Sequence, residues 1–137
     1  MSNEYCSVKH SGSCKCGAVK FEVDGDPTWS GYCHCRDCRK ATAAPVSAFV
    51  IFKKMDVHWS GSAPKQYQSS EHVMRTFCAT CGSPISYQFD GWPDRIDLYT
   101  CLFDDAESLV PAAHIWYPQK LSWLHVEDAL PKHDEDV

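Results

Sequence analysis

The chain has 137 residues, of which 44% are hydrophobic and 23% charged, and its formal net charge is −5. This length and apolar content fit one globular domain, residues 1–137, and exclude intrinsic disorder. The acidic balance argues against a nucleic-acid partner, which normally requires a basic face, and gives no reason to expect a membrane partner.

Strand patterns dominate the chain. Residues 19–23 alternate apolar and polar side chains and end at the turn dipeptide Asp24-Gly25. A short helix is predicted at residues 36–42, and the β-branched and aromatic run at residues 45–52 is typical of a central strand. Further short strands are predicted at residues 57–59, 65–68, 85–89 and 96–103, and a second helical turn at residues 104–109.

These patterns together predict a mostly β fold with one or two short helices, whose small core metal cross-links would help to stabilise. The tail from Pro131 is short and acidic, and we expect it to be frayed. The sequence shows no targeting segment, so we expect a cytoplasmic protein. Disulfides are rare in that reducing compartment, where clustered cysteines are more often metal ligands or catalytic groups.

Seven of the nine cysteines fall into three closely spaced groups. These are a C-x-C-G at Cys14 and Cys16, a C-x-C-x-x-C at Cys33, Cys35 and Cys38, and a C-x-x-C-G at Cys78 and Cys81. A C-x-x-C followed by glycine is a metal knuckle, in which both thiolates point to one centre and Gly82 gives the turn its backbone freedom. Because a structural zinc takes four ligands, the first and third groups together predict a closed structural site.

The middle group places three thiolates within six residues. On an extended segment, alternation puts Cys33 and Cys35 on one face and turns His34 away from the metal. Cys38, at the start of a helical turn, can fold back toward them. Three protein ligands and a free fourth position are the signature of a catalytic zinc, so we assign these three cysteines to a catalytic site.

Each cysteine assignment has an alternative. Cys78 and Cys81 could form a thioredoxin-like redox pair, although the chain has no βαβ pattern, and iron suits four thiolates as well as zinc does. The middle group could be a second structural site completed by Cys101, Cys6 or a histidine. Cys101 lies in an alternating segment and is expected to be a buried small hydrophobe, while Cys6 carries no signal.

The C-terminal part is dense in aromatic residues, which are expected to form core or the wall of a pocket. His114 lies among them. It could be a general base or a substrate contact, but a histidine beside aromatic residues is more often a hydrogen-bonded core residue, and we favour that interpretation.

The order of the cysteine motifs resembles that of the glutathione-dependent formaldehyde-activating enzyme family, to which centromere protein V also belongs. The motifs are Gly12-Ser13-Cys14-Lys15-Cys16-Gly17, Cys33-His34-Cys35-Arg36-Asp37-Cys38 and Cys78-Ala79-Thr80-Cys81-Gly82. His114-Ile115-Trp116 and Trp123 are similar to the family's C-terminal pattern, so that the resemblance covers about residues 12–131.

The resemblance implies several small antiparallel sheets in a tent-like arrangement with two zinc ions. Matched position by position, the structural ligands are Cys14, Cys16, Cys78 and Cys81, and the catalytic ligands are Cys33, Cys35 and Cys38. The implied activity is that of a carbon–sulfur lyase that joins glutathione to formaldehyde, giving S-hydroxymethylglutathione.

A zinc held by three thiolates carries a formal charge of about −1, so it suits a fourth sulfur ligand better than it suits water activation. We therefore expect a small-molecule thiol such as glutathione to bind as thiolate and attack an aldehyde. Arg36, Arg39 and Lys40 could attract the carboxylates of glutathione, or could form an ordinary solvated helix face.

Two other functions remain compatible with the pattern. A non-enzymatic zinc-binding chaperone or protein-interaction module could use the same scaffold, but it would need only the four-cysteine site. A zinc-ribbon nucleic-acid binder is disfavoured by the acidic balance.

Overall fold

The computed structural model describes residues 9–136. Within them, ten strands follow along the chain: β1 His10–Ser13, β2 Val19–Val23, β3 Trp29–Cys33, β4 Ser47–Lys53, β5 Val57–Gly61, β6 Lys65–Ser70, β7 Val73–Phe77, β8 Pro84–Phe89, β9 Arg95–Tyr99 and β10 His114–Ile115. Helix α1 spans Arg36–Thr42, and short 3-10 helices span Lys54–Asp56, Thr100–Leu102, Ala106–Ser108 and Tyr117–Gln119. None of these helices is long and apolar enough to cross a membrane.

The strands form two sheets. The small sheet has the order β1-β2-β5, and the large sheet has the order β10-β3-β4-β9-β8-β7-β6. Pairing is antiparallel throughout except between β10 and β3, which run parallel. The predicted mostly β fold with a short helix is confirmed, with strands gathered into sheets of three and seven.

Alternation along β4 gives the large sheet two apolar faces. Val50 and Phe52 join the main core, which includes Phe21 of the small sheet. Phe49 and Ile51 point to the opposite face and join a second cluster with β3 and β10. Because both faces are covered, β4 reads in sequence as a continuous apolar run, as its predicted central position requires.

Most predicted elements occur in the structure. β2 and α1 have the predicted bounds, and β4, β5, β6 and β8 agree with the prediction to within two residues. The predicted strand at residues 96–103 is wrong beyond Tyr99, because the chain turns into a 3-10 helix at Thr100–Leu102. That turn ends the alternation and leaves Cys101 exposed, so its prediction as a buried hydrophobe is wrong. Cys6 lies outside the described residues.

The tail after Pro131 packs back onto the protein, and the prediction that it is frayed is wrong. The amide of His133 donates to the carbonyl of His114 at 2.8 Å, and the amide of Tyr117 donates to the carbonyl of His133 at 3.1 Å. Trp116 Nε1 donates to Asp136 Oδ1 at 3.2 Å. These hydrogen bonds hold the tail beside β10, at an edge of the large sheet. No pattern in the sequence predicted a strand at this edge.

Candidate functional site

Four cysteines meet between the two sheets. Cys14 and Cys16 come from the turn after β1, and Cys78 and Cys81 from the turn after β7. Their sulfur atoms all lie within 4.8 Å of one another, with 3.7 Å between Cys14 and Cys16 and 3.8 Å between Cys16 and Cys78. A tetrahedron with Zn–S bonds of about 2.3 Å has sulfur–sulfur edges of about 3.8 Å, so these residues fit a four-thiolate metal site.

Backbone amides point at the sulfur atoms of this cluster. The amide of Val19 donates to Cys14 Sγ at 3.3 Å, and that of Cys81 to Cys78 Sγ at 3.5 Å. Gly82 has a φ of +80°, which confirms that the turn needs its backbone freedom. Amide donors stabilise thiolates, and four thiolates would fill a tetrahedral metal and leave no position for substrate.

Three further cysteines meet at the start of α1. Cys33 ends β3, Cys35 caps the N-terminus of α1, and Cys38 lies in its first turn. The sulfur of Cys33 is 3.3 Å from that of Cys35, which also accepts the amide N–H of Cys38 at 3.3 Å. All three sulfur atoms lie within 4.8 Å of one another, and neither Cys101 nor His34 joins them. The cluster therefore offers three donors and fits a metal with one position free.

The three thiols share charge unequally. Hydrogen bonds from Cys33 and then from Cys38 lower the pKa of Cys35 to about 2. The same bond to Cys35 raises the pKa of Cys33 well above its ordinary value. Ionisation of one thiol therefore opposes ionisation of the other two. All three can be thiolates together only with a cation among them.

Arg75 of β7 supplies a buried positive charge behind this cluster. Its side chain donates to Asp37 Oδ2 and to the hydroxyl of Tyr99, both at 2.7 Å, and Nη2 lies 4.0 Å from Cys38 Sγ. Only 6% of the residue is exposed. A cation at this distance partly offsets the negative charge of a three-thiolate centre.

The three cysteines open onto a cavity of about 320 Å³. The other lining residues are mostly aromatic or acidic, with one aliphatic and two neutral polar side chains: Phe49, Tyr87, Trp92, Tyr99, Trp116, Asp37, Asp97, Asp136, Ile115, Ser47 and Gln119. This volume lies at the lower end of the range for small-molecule sites. The cluster can therefore meet a small ligand.

Strand register explains how the wall of the cavity forms. Tyr87 on β8 pairs with Asp97 on β9, and Tyr99 on β9 pairs with Phe49 on β4. Paired residues share a face, so these four side chains converge from three strands. The sequence alone did not identify these four side chains as parts of one wall. In sequence, Asp97 and Tyr99 alternate with apolar neighbours, which indicates that one face of β9 is more polar than the other.

The predictions for the two histidines are confirmed. Both His34 and His114 are fully buried. His34 Nε2 lies 2.8 Å from His114 Nδ1, and His114 Nε2 lies 2.9 Å from Asp128 Oδ2. His114 is therefore a hydrogen-bonded core residue, and its partner His34 points away from the three sulfur atoms. This buried chain anchors the segment between Cys33 and Cys35 to β10 and the C-terminal part.

The basic residues of α1 do not face the cavity. Arg39 Nη1 donates to the carbonyls of His34 at 2.7 Å and of Gln119 at 2.6 Å, so it holds the helix start in place. Arg36 and Lys40 lie with Arg39 on a separate shallow surface. This placement agrees with the interpretation of the three basic residues as a helix face. It does not agree with their contacting the carboxylates of a ligand in the cavity.

Comparisons with known proteins agree with the cysteine geometry. The family described as "Glutathione-dependent formaldehyde-activating enzyme" matches residues 9–119, a span that includes both clusters. A Halomonas elongata protein named "Putative glutathione-dependent formaldehyde-activating enzyme" is 27% identical over 126 residues, covering 85% of this chain and 80% of that protein.

A solved structure has a similar fold. The crystal structure of a Rhodobacter sphaeroides protein aligns with a TM-score of 0.55 and 25% identity, covering 69% of this chain and 87% of that one. The architecture therefore recurs in an experimentally determined protein.

Proposed function

Because the chain belongs to the glutathione-dependent formaldehyde-activating enzyme family, we propose that it is a zinc-dependent carbon–sulfur lyase acting on the adduct of a small thiol and an aldehyde, such as S-hydroxymethylglutathione. The observation that carries this proposal is the three-cysteine cluster, which opens onto a cavity of ligand size. An interaction module would have no need of a metal position beside a cavity.

The two clusters have different roles in this proposal. Cys14, Cys16, Cys78 and Cys81 would hold a structural zinc that joins the turns of the two sheets. Cys33, Cys35 and Cys38 would hold the catalytic zinc, which would polarise the substrate thiol. A zinc ion there supplies a positive centre that lowers the pKa of a bound thiol.

Tyr99 is suited to assist the reaction from the wall of the cavity. Its oxygen accepts a hydrogen bond from Arg75 Nη1, which leaves its own O–H free to donate. Burial raises the pKa of Tyr99 above its ordinary value, so the hydroxyl stays protonated near neutral pH. A neutral donor at this place stabilises negative charge that develops on the aldehyde oxygen.

The chemistry balances without an oxidant. In the direction of synthesis, the thiol loses its proton, its sulfur forms a bond to the carbonyl carbon, and the carbonyl oxygen takes up a proton. In the direction of cleavage, the carbon–sulfur bond breaks, the hydroxyl loses its proton and the sulfur regains one. Tyr99 donates a hydrogen bond to the same oxygen in both directions.

Exchange spectroscopy of the glutathione–formaldehyde adduct tests the proposal. Thiols add to formaldehyde spontaneously, so the rate must be compared with that of a protein-free sample. We expect wild type and Cys101→Ser, which changes an exposed cysteine outside both clusters, to accelerate exchange equally. Cys35→Ser should leave the rate at background. Background rates for zinc-loaded wild type would exclude the glutathione adduct as substrate and favour another thiol adduct or a non-enzymatic zinc module.

A further inference from the structure

The charge of the cavity lining bears on which thiol it accepts. Three carboxylates line it, those of Asp37, Asp97 and Asp136, and no lysine or arginine among residues 9–136 does. Glutathione carries one ammonium group and two carboxylates, and for the carboxylates this lining offers no cationic partner among residues 9–136. The negative charge of the three thiolates makes the cavity still more negative.

The nearest arginines lie behind the lining and are already paired. Arg75 is bonded to Asp37 and Tyr99. Arg95 lies over the ring of Trp92, 3.6 Å from its centre, with its Nε 3.4 Å from Asp97 Oδ1. Each arginine offsets part of one carboxylate, but neither presents its charge to the cavity.

Asp97 is the least satisfied of the three carboxylates. It is only 8% exposed, and in the described part of the chain it accepts no hydrogen bond beyond that ion-pair contact with Arg95. Asp37 is bonded to Arg75, and Asp136 to Trp116. A buried carboxylate is costly unless hydrogen-bond donors or a cation meet it, and a ligand in the cavity could supply both.

Aromatic rings complete the surroundings of that carboxylate. Tyr87, Trp92, Tyr99 and Trp116 line the same cavity. Arg75 already lies over the ring of Tyr87, 4.9 Å from its centre, as Arg95 lies over that of Trp92. The rings of Tyr99 and Trp116 are therefore the ones left to attract a cation of the ligand. The lining thus favours a positive ligand by two independent features, its charge and its aromatic content.

We propose that the thiol bound by this site is an aminothiol, whose ammonium group pairs with Asp97 while its sulfur meets the three-cysteine centre. This inference rests on the proposed function and narrows it to a substrate class. Asp97 acts as the specificity-determining residue. Thiols that carry a carboxylate in place of the ammonium group bind more weakly, because the acidic lining repels that carboxylate and holds no lysine or arginine among residues 9–136 to pair with it.

The test uses protein loaded with cobalt and three small thiols that differ in charge: cysteamine, 2-mercaptoethanol and mercaptoacetate. Dissociation constants come from the change in the cobalt charge-transfer absorption at pH 8, above the raised pKa of Asp97, where its side chain is a carboxylate. The thiols also differ in acidity, so the decisive comparison is between wild type and Asp97→Asn for the same thiol. Asp26→Asn, an exposed carboxylate paired with Lys9, is the matched control.

We expect wild type to bind cysteamine most tightly and mercaptoacetate most weakly. Asp97→Asn should weaken cysteamine binding by about fivefold or more, and leave 2-mercaptoethanol within about twofold of its wild-type value. Equal effects on all three thiols, or tighter binding of mercaptoacetate than of cysteamine by wild type, would overturn the inference while leaving thiol binding intact. If no thiol changes the cobalt spectrum, the proposed function itself fails, and the inference with it.

Discussion

At the residue scale, Tyr99 and Arg75 link the three cysteines to the rest of the cavity. Arg75 contacts Asp37, Tyr99 and Cys38 from one buried position. No local pattern could have predicted this, because Arg75 is 37 residues from Cys38 and reads in sequence as an ordinary charged residue between short strands. Its role depends on the pairing of β7 with β8.

Replacing Tyr99 by phenylalanine should slow adduct exchange without releasing metal. The change removes the free O–H and keeps the ring that packs beside Phe49. We expect a loss on the order of tenfold or more in rate, as for other single donors to a developing oxyanion. Zinc content and exchange rate should be measured on the same sample. An unchanged rate would exclude the proposed donor.

Replacing Arg75 by methionine should weaken metal binding at the three-cysteine site alone. The change leaves a cluster of negative charge without its buried counter-charge, and we expect about tenfold weaker zinc binding or more. Competition with a chromophoric chelator measures this. The four-cysteine site gives the internal control, since its zinc should be retained as in wild type.

Asp97 should make folding stability depend on pH. Burial raises its pKa from 3.8 to about 7, so the folded chain holds a proton that the unfolded chain has lost. Stability contributed by that proton is present at low pH and disappears as the pH rises through 7. We expect Asp97→Asn to be more stable than wild type at pH 8, by about 1 kcal/mol or more.

The check is denaturant unfolding of zinc-loaded protein at pH 6 and pH 8. The advantage of Asp97→Asn should shrink at the lower pH, while Asp26→Asn, which is exposed, should follow wild type at both. An advantage that is constant with pH would show that the titration of Asp97 is not its source.

At the element scale, strands in which buried and exposed residues alternate regularly were predicted from the sequence. Strands that carry polar and apolar residues on the same face were not. β2 alternates cleanly between buried and exposed residues, and its bounds were predicted. β1, β3, β7 and β10 were missed: glycine and serine dilute the pattern of β1 and β3, Arg75 and Thr76 are buried in β7, and β10 has only two residues. The cysteine spacing predicted both clusters, because each turn brings its own sulfur atoms together. The cavity wall depends on register between distant strands, which spacing does not encode.

The two kinds of cysteine turn should differ in their effect on folding. Cys81→Ser opens the cluster that joins the turns after β1 and β7, so we expect misfolded or aggregated protein. Cys35→Ser affects only the start of α1, and the two sheets should keep their structure. Far-UV circular dichroism and thermal melting compare the variants. Equal unfolding of both would contradict the division into structural and catalytic sites.

At the scale of the whole molecule, two sheets enclose one core and present a second apolar face to the cavity. The four-cysteine cluster lies between the sheets and the three-cysteine cluster lies on the cavity side. Metal binding and folding should therefore be coupled at the first cluster and nearly independent at the second. Because the two clusters are separate, a metal at the first would stabilise the fold, while a metal at the second would be free to bind a ligand.

The measurement that tests this most directly is zinc content per chain before and after mild chelation, for wild type and Cys35→Ser. Wild type should fall from about two zinc ions to about one and remain folded, because four thiolates release their metal only with unfolding. Cys35→Ser should hold about one zinc before and after. Release of both ions together from wild type, or disulfides among the seven clustered cysteines in reduced, zinc-supplied protein, would contradict the account.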